Sequence, residues 1–386
     1  MMKQLPSRSS SFPLLRSPEH DFVFVDKTDI LSTMLSRSQF VLLTRPRLFG
    51  KSLLASTLAD LFANGLVKFT GLRIEKTWKD RRYPVISLDF SRISGKRSRE
   101  EFLQALDAHL VERLQAAGFD APQVNRIDPI LRWEKFLARA RKMTIVLIVD
   151  DYDAPLLDVL DDPARLEEVQ AVIGSFFGAT KSCSGRFRFV LATGITRIPQ
   201  AAIPAAFNFL TDISSMTLFG GLLGFTESEL TSSFSPWIEN ASAATGATFE
   251  QTLERLKTWY GGYCFDGEGR THVHSPWSVL NFLARPERGF VNYWFRDSCG
   301  ETSASLLLNY FRIRDRIDPG KFDRHVYVSI DSLRSPSPAS AFNIAQILTN
   351  MGYLTIKGAS PDGMATLGFP NEEVKSSIAR LLKTNL

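Results

Sequence analysis

Cysteine is scarce in this chain. Three occur among 386 residues, at Cys183, Cys264 and Cys299. Their odd number and wide scatter exclude a disulfide framework and a clustered zinc site, and a reducing cytoplasm suits them best. Long hydrophobic runs are missing as well. The longest apolar stretch, Ile145–Val149, has the length of a strand and falls far short of the roughly 18–20 residues that a bilayer span requires, so no membrane segment is expected. The N-terminal MMKQLPSRSSSFPLLRSP is basic and serine-rich but has no apolar central segment of the kind that secretory signals carry. Residues 1–20 therefore read as a flexible arm. Some bacterial secretion and organelle-targeting signals share that composition, which leaves a secreted effector open beside the cytoplasmic reading. Histidine is limited to five residues. Of these, His272 and His274 would share a strand face, but no third ligand stands near them and a metal site is not supported. The net charge of +5 permits phosphate-bearing partners without identifying one.

What is present is an ordinary globular composition, 44% hydrophobic and 23% charged, on a chain long enough for roughly two or three domains. Apolar, strand-length segments at Gln39–Leu43, Tyr83–Phe90, Thr144–Val149 and Phe187–Thr193 alternate with helical patterns at Asp29–Ser36, Lys51–Asn64, Arg99–Gly118, Trp133–Lys142 and Leu166–Lys181. Phe22–Val25 reads as a short extended entry. Strands that are apolar throughout, separated by helices, predict an α/β fold with a mainly parallel sheet covered on both faces. After Gly224 the pattern changes to helices with glycine- and aromatic-rich turns. The expected division is residues 21–223 and 224–386, the second part mainly helical.

Chemistry enters at Thr44–Ser52, TRPRLFGKS, between a strand and a helix. A triphosphate needs inward-pointing backbone N–H groups, a helix N-terminus and a flexible cation. Gly50 allows close backbone approach, Lys51 can reach the β- and γ-phosphates, and the Ser52 hydroxyl can ligate Mg²⁺. The usual pattern begins with a further Gly where this chain has Arg45, and a Gly-Lys-Ser triplet also opens ordinary helices by chance. A second element strengthens the reading. Ile145–Asp153, IVLIVDDYD, is an apolar strand ending in acids. Asp150 suits the metal and Asp151 the orientation of water, where many such hydrolases carry Glu. In the third element, Phe187–Arg197, a strand delivers Thr193 to the same sheet edge, where it can sense the γ-phosphate. Arg197 is either a γ-phosphate contact, in cis or in trans, or a surface charge.

With these elements in place the chain resembles the AAA-ATPase-like family, P-loop proteins often followed by a nuclease domain of the PD-(D/E)xK type. The resemblance runs from about Phe22 to Leu382. It rests on FVDKTDIL, RPRLFGKSLL, YPVISLDFS, LIVDDYDAPLL, ATGITR, GFTESEL, WYGGYCF, HSPWSVLNFL, NYWF, GYLTIKG and LGFPNEEV. It implies an AAA-like P-loop NTPase domain followed by a lid- or winged-helix-like helical domain, with ATP and Mg²⁺ as cofactors. Arg45, Arg47, Phe49, Gly50, Lys51, Ser52 and Leu53 would lie along the nucleotide. The family loop itself tends to read Arg-Pro-Arg before Phe-Gly-Lys-Ser, so Arg45 in place of the first Gly is a family trait. Asp26 and Lys27 would come near the adenine or phosphates. Departures are Asp151 in place of the family's usual Glu, and Cys264 where the family often has Arg.

Pro361-Asp362 and Glu373-x-Lys375 spell the nuclease pattern, but PNEEVKSSIARLL reads as a helix capped by Asn371. There, two-residue spacing separates side chains onto different faces. The basic runs Gly95–Glu100 and Arg312–Lys321 lack an accompanying aromatic ladder and read as solvated surface. Two functions follow: an Mg-dependent ATPase, or a weakly or non-hydrolysing module gated by nucleotide and acting on a protein or nucleic-acid partner. Either leaves room for a homo-oligomer.

Overall fold

The computed structural model describes residues 3–6, 9–140, 143–159, 162–196, 207–294, 326–334 and 344–383. Five strands form the main sheet: β1 Phe40–Thr44, β2 Val85–Asp89, β3 Ile145–Asp150, β4 Phe187–Gly194 and β5 Thr211–Asp212. Their lateral order is β2-β3-β4-β1-β5, and each neighbouring pair runs parallel.

Both faces of the sheet are covered. Along β3, Ile145, Leu147 and Val149 enter one core while Val146 and Ile148 enter the other, the two-residue alternation of a pleated strand. The first core packs under helices α4 (Arg99–Ala116), α5 (Pro129–Arg139), α6 (Ala154–Leu157) and α7 (Pro163–Ser182). The second packs under α2 (Thr28–Arg37) and α3 (Lys51–Asn64), the latter through Leu54, Ala55, Leu58, Leu61 and Phe62. Those positions recur every three or four residues, as a helix with one buried face demands.

The N-terminal segment differs from expectation. Instead of a free arm, helix α1 (Phe12–Leu15) docks on the sheet unit. Phe12 is fully buried, stacked on Phe69 with ring centroids 4.5 Å apart. The FPLL segment thus carries its own apolar anchor inside a serine-rich context. The extended entry reduces to one parallel bridge between Gln4 and Phe22.

The C-terminal part is mainly helical, with α8 (Glu227–Thr245), α9 (Phe249–Tyr260), α10 (Pro276–Ala284), α11 (Ile330–Arg334), α12 (Ile344–Asn350) and α13 (Glu372–Lys383). It also carries a hairpin of β6 (Tyr263–Cys264) with β7 (His272–Val273), and an antiparallel sheet ordered β8 (Val326–Ser329), β10 (Met364–Gly368), β9 (Thr355–Ala359). The Asn371 side chain accepts the N–H of Val374 at 3.1 Å, which is the expected helix cap. Glu373 is buried at 0% exposure and Lys375 is exposed, so the nuclease-like spelling gathers no shared site.

Candidate functional site

Parallel register brings the carboxyl ends of the strands level. Leu43 pairs with Thr193, Val149 with Ala192, and Asp89 with Asp150. The loop after β1 and the acids after β3 therefore open on one edge of the sheet. They do not come from neighbouring strands: β4 lies between β1 and β3 and places Thr193 in the middle.

The loop Arg45–Gly50 contains two left-handed residues, Leu48 at φ 65° and Gly50 at φ 96°. Gly50 meets that requirement without a Cβ penalty, and a Cβ there would approach only Leu223, at 3.9 Å. Helix α3 starts directly after Gly50 with no side-chain cap and no acid in its first turn. By contrast, α4, α8 and α9 all start with capping boxes. No side chain caps the first N–H groups of α3, and the helix dipole there favours an anion.

Lys51 is 6% exposed. Its ammonium donates to the carbonyls of Arg45 (3.3 Å) and Pro46 (3.4 Å) and lies 3.7 Å from Asp151 Oδ1. Asp151 holds a left-handed backbone at φ 48°, which a short Asp side chain adopts at lower cost than most residues. Burial pushes the Asp151 carboxyl up to about 6, against the pull of Lys51. Its buried Oδ1 has no hydrogen-bond donor among the described residues. Thr193 bridges the two acids: its hydroxyl donates to Asp150 Oδ1 through a short bond and accepts the N–H of Asp151 at 3.3 Å. Ser52 and Leu53 are half-buried in the first turn of α3.

One residue of this edge escaped the sequence reading. Asp153 is 0% exposed, and its Oδ2 accepts the N–H groups of Ile195 (2.9 Å) and Thr196 (2.7 Å) and the Thr196 hydroxyl (2.9 Å). It ties the acid loop to the turn after β4. Burial pushes its carboxyl upward. A third acid following DDY was the available signal. Gly194 packs so closely here that a Cβ would lie 2.7 Å from both Asp153 Oδ1 and Tyr152 Cε1. Gly194→Ala is expected to destabilise the fold by about 1–3 kcal/mol through overpacking, read as a lowered urea midpoint. An unchanged midpoint would show that the junction yields.

The residues expected along the nucleotide divide into two groups. Gly50, Lys51 and Ser52 form the loop-to-helix junction. Arg45 turns away from it: its guanidinium donates to the carbonyls of Thr44 (2.9 Å), Ser214 (2.7 Å) and Phe219 (3.2 Å) and lies over the Phe265 ring at 4.5 Å. Phe49 is buried edge-on against Tyr263 and Phe265, at 4.8 and 5.1 Å. The Arg47 carbonyl accepts the indole N–H of Trp294 at 3.1 Å. Lys27 pairs with Glu229 at 2.7 Å, and Asp26 accepts N–H groups from Thr28 and Arg73. Arg197 lies outside the described residues.

A family model described as "Predicted AAA-ATPase" matches residues 9–204, which take in the loop, the acids and Thr193. The chain belongs to the AAA-ATPase-like family. A curated relative, an uncharacterized protein in the vnfD 5′ region of Azotobacter chroococcum mcd 1, is 28% identical over 393 residues, covering 98% of this chain and 70% of that protein. Among solved structures, the Aeropyrum pernix ORC2 protein in ADPNP and ADP complexes aligns at 10% identity with a TM-score of 0.33, over 92% of this chain and 94% of that one. This AAA-ATPase-like chain has no helix among its described residues long and apolar enough to cross a membrane.

Proposed function

We propose that this chain binds ATP as its magnesium complex at the Gly50–Ser52 junction and hydrolyses it slowly when isolated. The observation that carries this reading is the meeting of a buried ammonium, an uncapped helix start and an unsatisfied buried carboxylate oxygen at one sheet edge. An arriving phosphate exchanges the two neutral carbonyls now holding Lys51 for charged oxygens, which form the stronger bonds. The donor set fits Mg²⁺: a hydroxyl from Ser52 and a carboxylate from Asp150 are hard oxygen ligands, and Mg²⁺ commonly takes only one or two protein groups alongside phosphates and water. Ser52 and Asp150 would hold the ion, and when bound it neutralises charge on the phosphates. Asp151 orients the attacking water and, when ionised, accepts its proton. Thr193 fixes the Asp150 carboxylate and is placed to register the γ-phosphate.

An arginine completing the transition-state charge is worth about 10³–10⁵ in rate. We assign that role to Arg197 or to an arginine of a second copy in an oligomer. The isolated chain is therefore expected to take up ATP·Mg with micromolar affinity by calorimetry. Turnover is expected at about 10⁻⁴–10⁻² s⁻¹, the range of P-loop enzymes working without an arginine supplied by a partner. Absence of both binding heat and phosphate release sinks the reading. Tight binding with no release leaves a nucleotide-gated module acting on a protein or nucleic-acid partner. The existing Lys51–Asp151 contact favours that second reading, because the carboxylate that would serve water already faces the phosphate lysine.

A further inference from the structure

The phosphate loop belongs to the sheet unit by sequence and to the C-terminal unit by packing. Phe49 sits in the core formed by Tyr263, Trp294, Tyr353, Leu367 and Val374. Pro46 lies where a Cβ on Gly352 would come within 2.8 Å. The most specific tie is polar. Glu373, fully buried on α13, takes the N–H groups of Tyr293 (2.7 Å) and Trp294 (2.8 Å) on Oε1 and the Ser278 hydroxyl (2.7 Å) on Oε2. Trp294, fixed by that carboxylate and packed edge-on against Tyr353 at 5.3 Å, passes its indole N–H to the Arg47 carbonyl.

A trans peptide points its carbonyl and the next N–H in opposite directions. Drawing the Arg47 carbonyl toward the C-terminal unit therefore turns the Leu48 N–H away from it. The same grip holds Leu48 in its left-handed conformation, a state that non-glycine residues keep only when their surroundings enforce it.

We propose that Trp294 and Glu373 are positioning residues for the phosphate loop, through which the C-terminal unit sets the nucleotide affinity of the sheet unit. This rests on the nucleotide reading above and adds its regulation. Displacing residues 293–294, by a partner bound to the C-terminal unit or by a change at α13, releases the loop and weakens binding without touching Lys51.

The test uses the full chain with Trp294→Phe, which keeps an aromatic ring beside Tyr353 but removes the N–H, with Glu373→Ala, which removes the acceptors of the Tyr293 and Trp294 N–H groups, and with the double variant. In nucleotide-free protein, amide hydrogen exchange at residues 47–50 is expected to accelerate about tenfold in Trp294→Phe, while the α7 and β3 amides remain protected. ATP·Mg titration is expected to give Kd values raised about 5–10-fold in each single variant, the loss of one well-placed hydrogen bond. The double variant should be scarcely weaker than either, since the two residues act in series. Loop exchange at the wild-type rate in Trp294→Phe, or additive losses in the double variant, overturns the proposal. Accelerated loop exchange in a chain whose wild type takes up no ATP·Mg sustains the clamp but overturns the nucleotide reading, and with it any role in affinity.

Discussion

Replacing Lys51 with alanine is expected to weaken ATP·Mg binding by at least about 100-fold and to abolish phosphate release. Lys51 is almost wholly buried, so its charge acts where water screens little, and its ammonium already occupies the loop mouth through the Arg45 and Pro46 carbonyls. A hydrogen bond to a charged group contributes about 1.5–3 kcal/mol, so loss of two such bonds to phosphate oxygens corresponds to a factor of roughly 10²–10⁴ in Kd. The fold should survive, because Asp151, deprived of its cation, takes up a proton and relieves its buried charge. Calorimetric titration checks the affinity, and a circular-dichroism melt checks the fold. A folded variant that binds within threefold of wild type would remove Lys51 from the site.

The second large effect is expected from Asp151→Asn. Turnover should fall by about 10²–10⁴-fold, the usual contribution of a positioned acid–base group, while affinity for ATP·Mg holds or rises. The nucleotide-free protein should become more stable near neutral pH. Burial raises the Asp151 carboxyl from 3.8 to about 6, so ionisation there opposes folding. The stability that the neutral acid confers is complete below 3.8 and is lost as pH rises through 6. Wild type and Asn variant should therefore unfold alike at pH 4 and diverge above pH 6. Because the side chain is 28% exposed, the divergence is discounted to about 1–2 kcal/mol. Chemical denaturation at the two pH values measures it. Wild-type turnover should climb through the same pH interval as the carboxylate forms. Equal turnover in the two proteins would assign the water to another group.

Much of this arrangement was readable along the chain. The strands β1, β3 and β4 announce themselves as apolar runs bounded by turns or acids, and α3 by its repeating leucines. The Asn371 cap was legible because a helix start has a local chemical signature. Lateral order was not legible: nothing in the composition of IVLIVD says that β4 comes between it and β1. The role of Arg45 was not legible either. A cation in a phosphate loop suggests a phosphate, yet its partners Ser214 and Phe219 lie about 170 residues away, and only the folded chain brings their carbonyls to it. Local composition misjudged the N-terminal arm for a related reason. The serines and basic residues are real, but the anchor is one phenylalanine whose pocket is built by Phe24 and Phe69. Glu373 came to notice only through a nuclease spelling, whereas its bonds to Tyr293 and Trp294 join segments separated by some eighty positions.

The shared ownership of the phosphate loop bears on how the molecule matures during synthesis. A ribosome delivers the whole Gly-Lys-Ser segment within the first fifty or so residues. The side chains that mould it emerge far later, at Tyr263, Trp294, Gly352 and finally Glu373. Domains ordinarily fold as they leave the exit tunnel, so the sheet can close early around an unfinished mouth. A nascent or prematurely terminated chain then carries the motif without its mould and leaves Phe49 exposed to solvent. On the proposed reading, the loop gains its binding shape only after residues through Glu373 have emerged.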